Sequence, residues 1–96
     1  MTSEEKAQVI VNATDKVGNL NFMQFRIMLG LHLIEVEIVS EIANRLRTKQ
    51  SLISRNLDGL ETKGFIKRIR DEKEDRRRVY VTLTNKGSKF VESALA

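Results

Sequence analysis

The sequence predicts a small domain of the α+β class, in which helices pack around one antiparallel β-hairpin. Two observations predict it. Apolar residues recur at three- and four-residue spacing through most of the chain, which is the period of a helix, whereas residues 79–83 alternate apolar and polar side chains, as a half-buried strand does. The length of 96 residues suits one compact unit with a single modest core, so we expect one domain over 1–96.

Two helices are predicted at the start of the chain. Thr2 and Ser3 precede two glutamates, which favours a helix start, and an apolar stripe follows at Ile10, Ala13, Val17 and Leu20. One small core cannot fully cover this stripe, so residues 1–20 are expected to take part in dimerisation. Asn21 is expected to cap the second helix. Its apolar residues are so frequent that most of its circumference must be covered: Phe22, Phe25, Ile27, Met28, Leu29, Leu31 and Leu33.

A short strand and a pair of helices come next. Residues 36–38 alternate and contain β-branched side chains, which suits a strand, and residues 40–46 return to a helical pattern with Ile42, Ala43 and Leu46 buried. After a turn at 47–48, the segment 49–63 is predicted to be an amphipathic helix. Its apolar positions are Ile53, Leu57 and Leu60, and its polar face carries Ser51, Ser54, Arg55, Asp58 and Thr62.

The hairpin and a last helix complete the predicted order. Gly64 stands where the end of a helix needs a positive φ, and residues 65–70 and 78–84 are expected to be the two strands. The wholly charged segment between the strands would form the hairpin tip. Thr84 is expected to cap a final helix, whose apolar side carries Phe90, Val91, Ala94 and Leu95.

Positive charge is concentrated in the second half of the chain. Residues 1–44 contain three Lys or Arg and six Asp or Glu, a net charge of −3, whereas residues 45–96 contain fourteen and seven, a net charge of +7. This asymmetry is expected of a surface that binds a polyanion, although clustered charge is as often a solvated surface.

The predicted order of elements is that of a winged helix-turn-helix. The helix over 49–63 exposes small polar groups beside an arginine, which suits readout of base edges in the major groove of double-stranded DNA. The hairpin, or wing, over 70–78 would bring further cations to the DNA backbone or the minor groove. The expected DNA-binding residues are Lys49, Gln50, Ser51, Ser54, Arg55, Arg70, Lys73, Asp75, Arg76, Arg77 and Arg78.

Four parts of the sequence carry a more specific signal: Ser40-Glu41-Ile42-Ala43-Asn44-Arg45-Leu46; Gln50-Ser51-Leu52-Ile53-Ser54-Arg55-Asn56-Leu57; Leu60-Glu61-Thr62-Lys63-Gly64-Phe65-Ile66; and Asp75-Arg76-Arg77 with Leu83-Thr84-Asn85-Lys86-Gly87. Through this ordered set the sequence bears, over residues 20–90, a resemblance to the MarR family of transcriptional regulators. It implies a transcriptional regulator, more often a repressor, in which Arg77 contacts the minor groove from the wing tip and Asp75 orients it. Members usually continue into long C-terminal helices that form the dimer, whereas this sequence ends at Ala96; compact virus- or plasmid-encoded regulators are similar too.

Other classes of function are not predicted. The sequence has no cysteine, no Gly-rich phosphate loop, and no Ser-His-Asp set or paired-carboxylate pocket, so neither an enzyme nor a cofactor is expected. His32 is a lone histidine beside core positions, more consistent with packing than with metal binding. No signal peptide or membrane span is recognisable, so we expect a cytoplasmic protein without a membrane partner.

The alternative function is a winged-helix module that binds another protein, because a fold does not dictate its function. Such a module would present an exposed apolar patch, whereas the expected reading face is polar and cationic and consists of Lys49, Gln50, Ser51, Ser54 and Arg55. If the protein binds DNA, a homodimer is expected, since reading two half-sites supplies affinity that one small domain lacks. The sequence identifies neither the operator nor a small-molecule effector.

Overall fold

The computed structural model describes residues 20–70 and 78–96, and in these ranges the predicted α+β winged helix-turn-helix is confirmed. The first predicted helix and the hairpin tip lie outside the described residues. The described elements, in chain order, are α1 (Phe22–Ile34), β1 (Val36–Ile38), α2 (Val39–Arg45), α3 (Gln50–Thr62), β2 (Ile66–Arg70), β3 (Val79–Leu83) and α4 (Asn85–Leu95).

The ends of the helices are set by the residues that the sequence singles out. At the start of α1, Asn21 Oδ1 accepts a hydrogen bond from the Gln24 backbone N–H at 2.8 Å, and Gln24 Oε1 accepts one from the Asn21 N–H at 3.1 Å. Thr84 Oγ1 accepts from the Gly87 N–H at 3.1 Å at the start of α4. Gly64 ends the α3 region with φ 78°, a conformation that a side chain disfavours.

The three described strands form one antiparallel sheet in the order β1-β3-β2. Arg70 pairs with Val79 at the outer end of the β2–β3 ladder, and Arg68 pairs with Val81 nearer its middle. On the other side of β3, Glu37 of β1 is also opposite Val81. The central strand is therefore held on both sides.

The core lies between the helices and one face of the sheet. Its aromatic centre brings Phe90 of α4 within 4.7 Å of Phe65 and 6.4 Å of Phe25, measured between ring centroids. Around it are buried aliphatic residues from the four helices and from strands β2 and β3: Ile27, Met28, Leu31, Ile42, Ala43, Ile53, Leu57, Leu60, Ile66, Val81 and Val91. A Cβ at Gly87 would collide with the Phe65 carbonyl oxygen, so this glycine allows α4 to approach the strand entry closely.

Two details differ from the simple apolar pattern. The circumference of α1 is not fully covered within the described residues, because Leu33 is 81% exposed and Phe22 is also exposed. In β1 the acid faces inwards: Glu37 is only 5% exposed, whereas Val36 is 51% exposed. The cause is a partner on α2, since Arg45 donates to Glu37 through Nη2 at 2.8 Å and through Nε at 3.1 Å.

Candidate nucleic-acid interface

Helix α3 separates its packing residues from its polar residues. Ile53, Leu57 and Leu60 are each 0% exposed and attach the helix to the core, as their spacing predicts. On the exposed side are the residues expected to face DNA: Lys49, Gln50, Ser51 and Arg55, with Ser54 half-buried beside them. The structure thus brings these five residues to the N-terminal half of one helix.

The turn between α2 and α3 places the start of α3 at the protein surface. Arg47 adopts φ 55°, and the Thr48 N–H donates to the Ala43 carbonyl at 3.0 Å, which closes the turn. An open groove of about 570 Å³ runs along it, lined by Ala43, Asn44, Arg47, Thr48, Lys49 and Leu52. Two cations therefore border this groove next to the first turn of α3.

The N-terminus of α3 is electrostatically positive. Its N-cap residue is Lys49, whose side chain has no acceptor for the amide groups, and the first turn contains no acid. The partial positive charge of the helix dipole is thus not offset by a neighbouring carboxylate of this turn. Together with the Lys49 ammonium, it favours an anion such as a backbone phosphate.

A buried polar network, which sequence reasoning missed, joins α3 to the start of α1. Asn56 Nδ2 donates to the Leu52 carbonyl at 2.9 Å, and Asn56 Oδ1 accepts from Asn21 Nδ2 at 2.9 Å. Gln24 Nε2 donates to the Asn56 carbonyl at 3.3 Å. A Cβ at Gly59 would lie 2.6 Å from Gln24 Nε2, so the glycine makes room for this side chain. The position of Asn56, three residues after Ile53 on the packing side, is the signal that could have revealed it.

An ion-pair cluster links α3 to the wing. Arg68 of β2 donates through Nη2 to Asp58 Oδ1 at 2.6 Å, and through Nε and Nη2 to the two carboxylate oxygens of Glu61 at 3.2 Å each. The hydrogen bond from Arg68 lowers the pKa of Glu61, and the positive charge of Arg68 acts in the same direction. The same contacts raise the pKa of Arg68, with Glu61 contributing most.

The ion pair between the buried Glu37 and the partly buried Arg45 links α2 to the sheet. The guanidinium of Arg45 lies against Gly30 of α1, where any Cβ would collide with it. In the sheet, Glu37 of β1 lies directly opposite Val81 of the central strand β3. Three elements thus meet at one ion pair beneath the helix-turn-helix.

The wing places two of its predicted DNA-binding residues at the ends of its described strands. Arg70 ends β2 and Arg78 immediately precedes β3, and both are exposed. Arg70 lines a groove of about 510 Å³ between wing and helix, together with Val39, Ser54, Asp58, Glu61, Arg68 and Val79. Lys73, Asp75, Arg76 and Arg77 lie outside the described residues, so the structure does not place them.

Other kinds of site are not seen in the described ranges. No group of three or more His, Cys, Asp or Glu residues within 20–70 and 78–96 is arranged to hold a metal ion. In the same part of the chain, no helix is both long and apolar enough to cross a membrane.

Comparison with solved structures finds many similar folds. Reduced AbfR bound to DNA superposes with a TM-score of 0.83 at 25% identity, over 97% of this chain and 64% of AbfR. A mutant of MarR from E. coli complexed with operator DNA gives 0.81 at 22% identity, over 95% of this chain and 64% of that one. The transcriptional regulator BldR from Sulfolobus solfataricus gives 0.76 at 34% identity, over 95% and 64%. The chain therefore spans 64% of the length of each of these proteins.

Comparison at the level of sequence gives the family. A search among curated proteins finds no significant match. The family model described as the MarR family matches residues 20–79, from the residue before the α1 cap to the start of β3. Because this match covers more than half of the chain and the fold agrees with solved MarR-family structures, the chain belongs to the MarR family.

Proposed function

We propose that this chain binds double-stranded DNA sequence-specifically and regulates transcription, with α3 in the major groove and the wing at the adjacent minor groove. The observation that carries the proposal is the division of α3 into two faces. Ile53, Leu57 and Leu60 are fully buried, while Lys49, Gln50, Ser51 and Arg55 remain exposed. A helix held so firmly by one face, with a polar and cationic opposite face, has the form that a major groove admits.

Each exposed side chain of α3 has a chemical role in this proposal. Arg55 presents a planar fork that suits O6 and N7 of a guanine, and the Gln50 amide suits N6 and N7 of an adenine. Ser51 and Ser54 donate to base edges or phosphates. Lys49, with the positive N-terminus of α3 beside it, binds a phosphate and sets the register of the helix on the duplex.

The wing supplies the second contact. Arg70 and Arg78 are exposed at its base, and the sequence adds Lys73 and Arg76 beyond them. As the family resemblance implies, Arg77 enters the minor groove and Asp75 orients its guanidinium. A narrow minor groove attracts such a cation, which gives a preference for A·T-rich flanks without reading individual bases.

The relatives support this proposal, since AbfR and the MarR mutant were each solved bound to DNA. A protein-binding module is less well supported, because the exposed face of α3 is polar and cationic. Among the described residues, most of the exposed large apolar side chains lie outside α3, such as Leu33, Ile34 and Val36 on α1 and β1, while α3 itself exposes Leu52 at 38%. We therefore favour a non-enzymatic, cytoplasmic DNA-binding protein whose partner is double-stranded DNA.

We also propose that residues 1–96 form one domain and that two copies of it associate as a homodimer. Residues 1–20 contribute to the interface. The support is the apolar stripe in that segment and the exposure of Leu95 at the end of α4. Light scattering at high micromolar concentration, with and without DNA, checks the mass. A monomer under both conditions would contradict the dimer.

DNA binding is tested by fluorescence anisotropy with a labelled random-sequence duplex at several salt concentrations, followed by selection of a preferred duplex from a randomised pool. Binding that neutralises phosphates gives a straight line of log affinity against log salt, with a slope of about −0.9 for each phosphate. Lys49→Ala should make this slope shallower, whereas Lys89→Ala, which removes an exposed cation from α4, should leave it unchanged. A salt-independent response would favour the protein-binding module instead.

A further inference from the structure

The Arg68 cluster lies between the two parts of the proposed DNA-binding surface. Arg68 is on β2, two residues before its end, while Asp58 and Glu61 are one turn apart on α3. The three side chains therefore join the helix proposed for the major groove to the wing proposed for the minor groove. Val81, the strand partner of Arg68, is 0% exposed, so the backbone at the cluster is anchored in the core.

From this geometry we infer that Arg68 is a positioning residue, which clamps β2, the strand that leads into the wing, at a fixed angle to α3 and does not itself bind DNA. The inference rests on the proposed function, because the angle matters only if helix and wing contact one duplex. Arg68 directs three hydrogen bonds at the two carboxylates, so its Nε and Nη2 donors are engaged within the protein. A guanidinium that donates hydrogen bonds to two carboxylates is held in its orientation more strictly than one that donates to a single carboxylate.

The orientation of β2 distinguishes Arg68 from its neighbour Lys67. Adjacent residues in a strand point to opposite faces, so Arg68 shares the α3-facing side with Ile66, and Lys67 is on the other side. Lys67 is exposed. It is therefore a matched control, because Lys67→Met removes one cation from the same strand without touching α3.

A clamp and simple charge masking predict opposite results for a neutral cluster. The triple variant Asp58→Asn, Glu61→Gln, Arg68→Met removes two negative charges and one positive charge, so the α3 side becomes more positive by one unit. If the cluster acted only through charge, this variant would bind DNA as tightly as the wild type or more tightly. If it acts as a clamp, the variant binds more weakly, because the wing must now be ordered on the duplex.

The angle itself is measured without DNA. The chain contains no cysteine, so the pair Ser51→Cys and Arg70→Cys accepts two spin labels, one at the start of α3 and one at the end of β2. Pulsed electron paramagnetic resonance then gives the distribution of distances between the labels. We expect a narrow distribution in the otherwise unaltered protein and after Lys67→Met, and a broader one in the neutral triple variant.

Affinity is measured by anisotropy with the duplex selected as above, on the unlabelled proteins, after thermal melting shows each variant to be folded. The neutral triple variant should bind about 3- to 10-fold more weakly than the wild type, because a surface that is no longer pre-organised must be ordered when it binds DNA. An unchanged distance distribution would overturn the clamp, and so would broadening without loss of affinity. If the wild type itself fails to bind DNA, the proposed function fails, and the functional part of the clamp fails with it, while the distances still test whether Arg68 fixes the wing.

Discussion

In helix α3 the effects of a substitution on folding stability and on DNA binding can be tested separately, because Arg55 and Leu57 are two residues apart and lie on opposite faces. Arg55 is exposed, and Leu57 is 0% exposed among Ile53, Leu60 and the rest of the core. We predict that Arg55→Ala weakens binding of the selected duplex in a protein of normal stability. Leu57→Ala should do the reverse, lowering stability while leaving the DNA-facing side chains in place.

The magnitudes follow from burial. Truncating a fully buried leucine costs about 2–5 kcal/mol, since both transfer energy and packing are lost. In a domain of this size about 1 kcal/mol corresponds to roughly 4–8 °C, so Leu57→Ala should lower the Tm by roughly 8–40 °C. Arg and Ala have similar helix propensity, so Arg55→Ala should shift the Tm by less than about 2 °C. Loss of a two-pronged guanine contact costs about 1–3 kcal/mol, or roughly 5- to 150-fold in affinity.

The assay combines thermal melting by circular dichroism with anisotropy at a temperature where both variants are folded. Arg55→Lys is the matched control, since lysine keeps the charge but lacks the planar fork. It should bind random duplex as well as the wild type and lose preference for the selected one. If a folded Arg55→Ala protein kept both its affinity and its preference, the assignment of this face of α3 to the bases would be refuted.

Five other substitutions test the wing, the end of α3 and its ion pair with β2. Arg77→Ala should make the salt slope shallower by about 0.9, Arg76→Ala should change it less, and Asp75→Ala should be milder than Arg77→Ala; equal losses for the two arginine variants would leave no single anchor at the wing tip. Gly64→Ala should cost about 1–2 kcal/mol in unfolding free energy, because φ is 78° there, and an unchanged melting curve would contradict this strain. The hydrogen bond from Arg68 holds the pKa of Glu61 below its ordinary value, so the contribution of Glu61 to stability is full above the unfolded-state pKa and is lost as the pH falls through the folded-state pKa. Glu61→Gln should therefore reduce the acid-induced loss of unfolding free energy by a small amount, at most about 0.5 kcal/mol for so exposed a pair; parallel profiles of stability against pH for variant and wild type would argue against it.

Much of the fold is predictable because its signals are local. The period of Ile53, Leu57 and Leu60 defines both the existence of α3 and its buried face, which the structure confirms. Asn21 and Thr84 mark two helix starts through side-chain acceptors within three residues of their amide partners. Interactions of this range depend only on neighbouring residues, so a single sequence is sufficient to infer them.

Contacts between distant elements are not accessible in the same way. Asp58, Glu61 and Arg68 look like ordinary surface charges in the sequence, where charged residues are abundant. Their pairing depends on how the wing returns across α3, which is set by the turn at Gly64 and the strand register. The same holds for Asn56, whose partners are Asn21 and Gln24, more than thirty residues earlier.

The burial of Glu37 shows how tertiary contacts override a local pattern. Alternation in a strand indicates that one face is buried but does not identify that face. The three residues of β1 supply too little apolar area to determine which face turns to the core. A buried carboxylate is costly without a partner, yet Arg45 meets it with two hydrogen bonds, and Gly30 leaves space for the guanidinium. Because α2 buries only Ile42 and Ala43 within its own length, this ion pair supplies a directional contact where apolar area is scarce. The orientation of α2, and through the closed turn that of α3, is therefore tied to a buried charge pair whose two members lie eight residues apart.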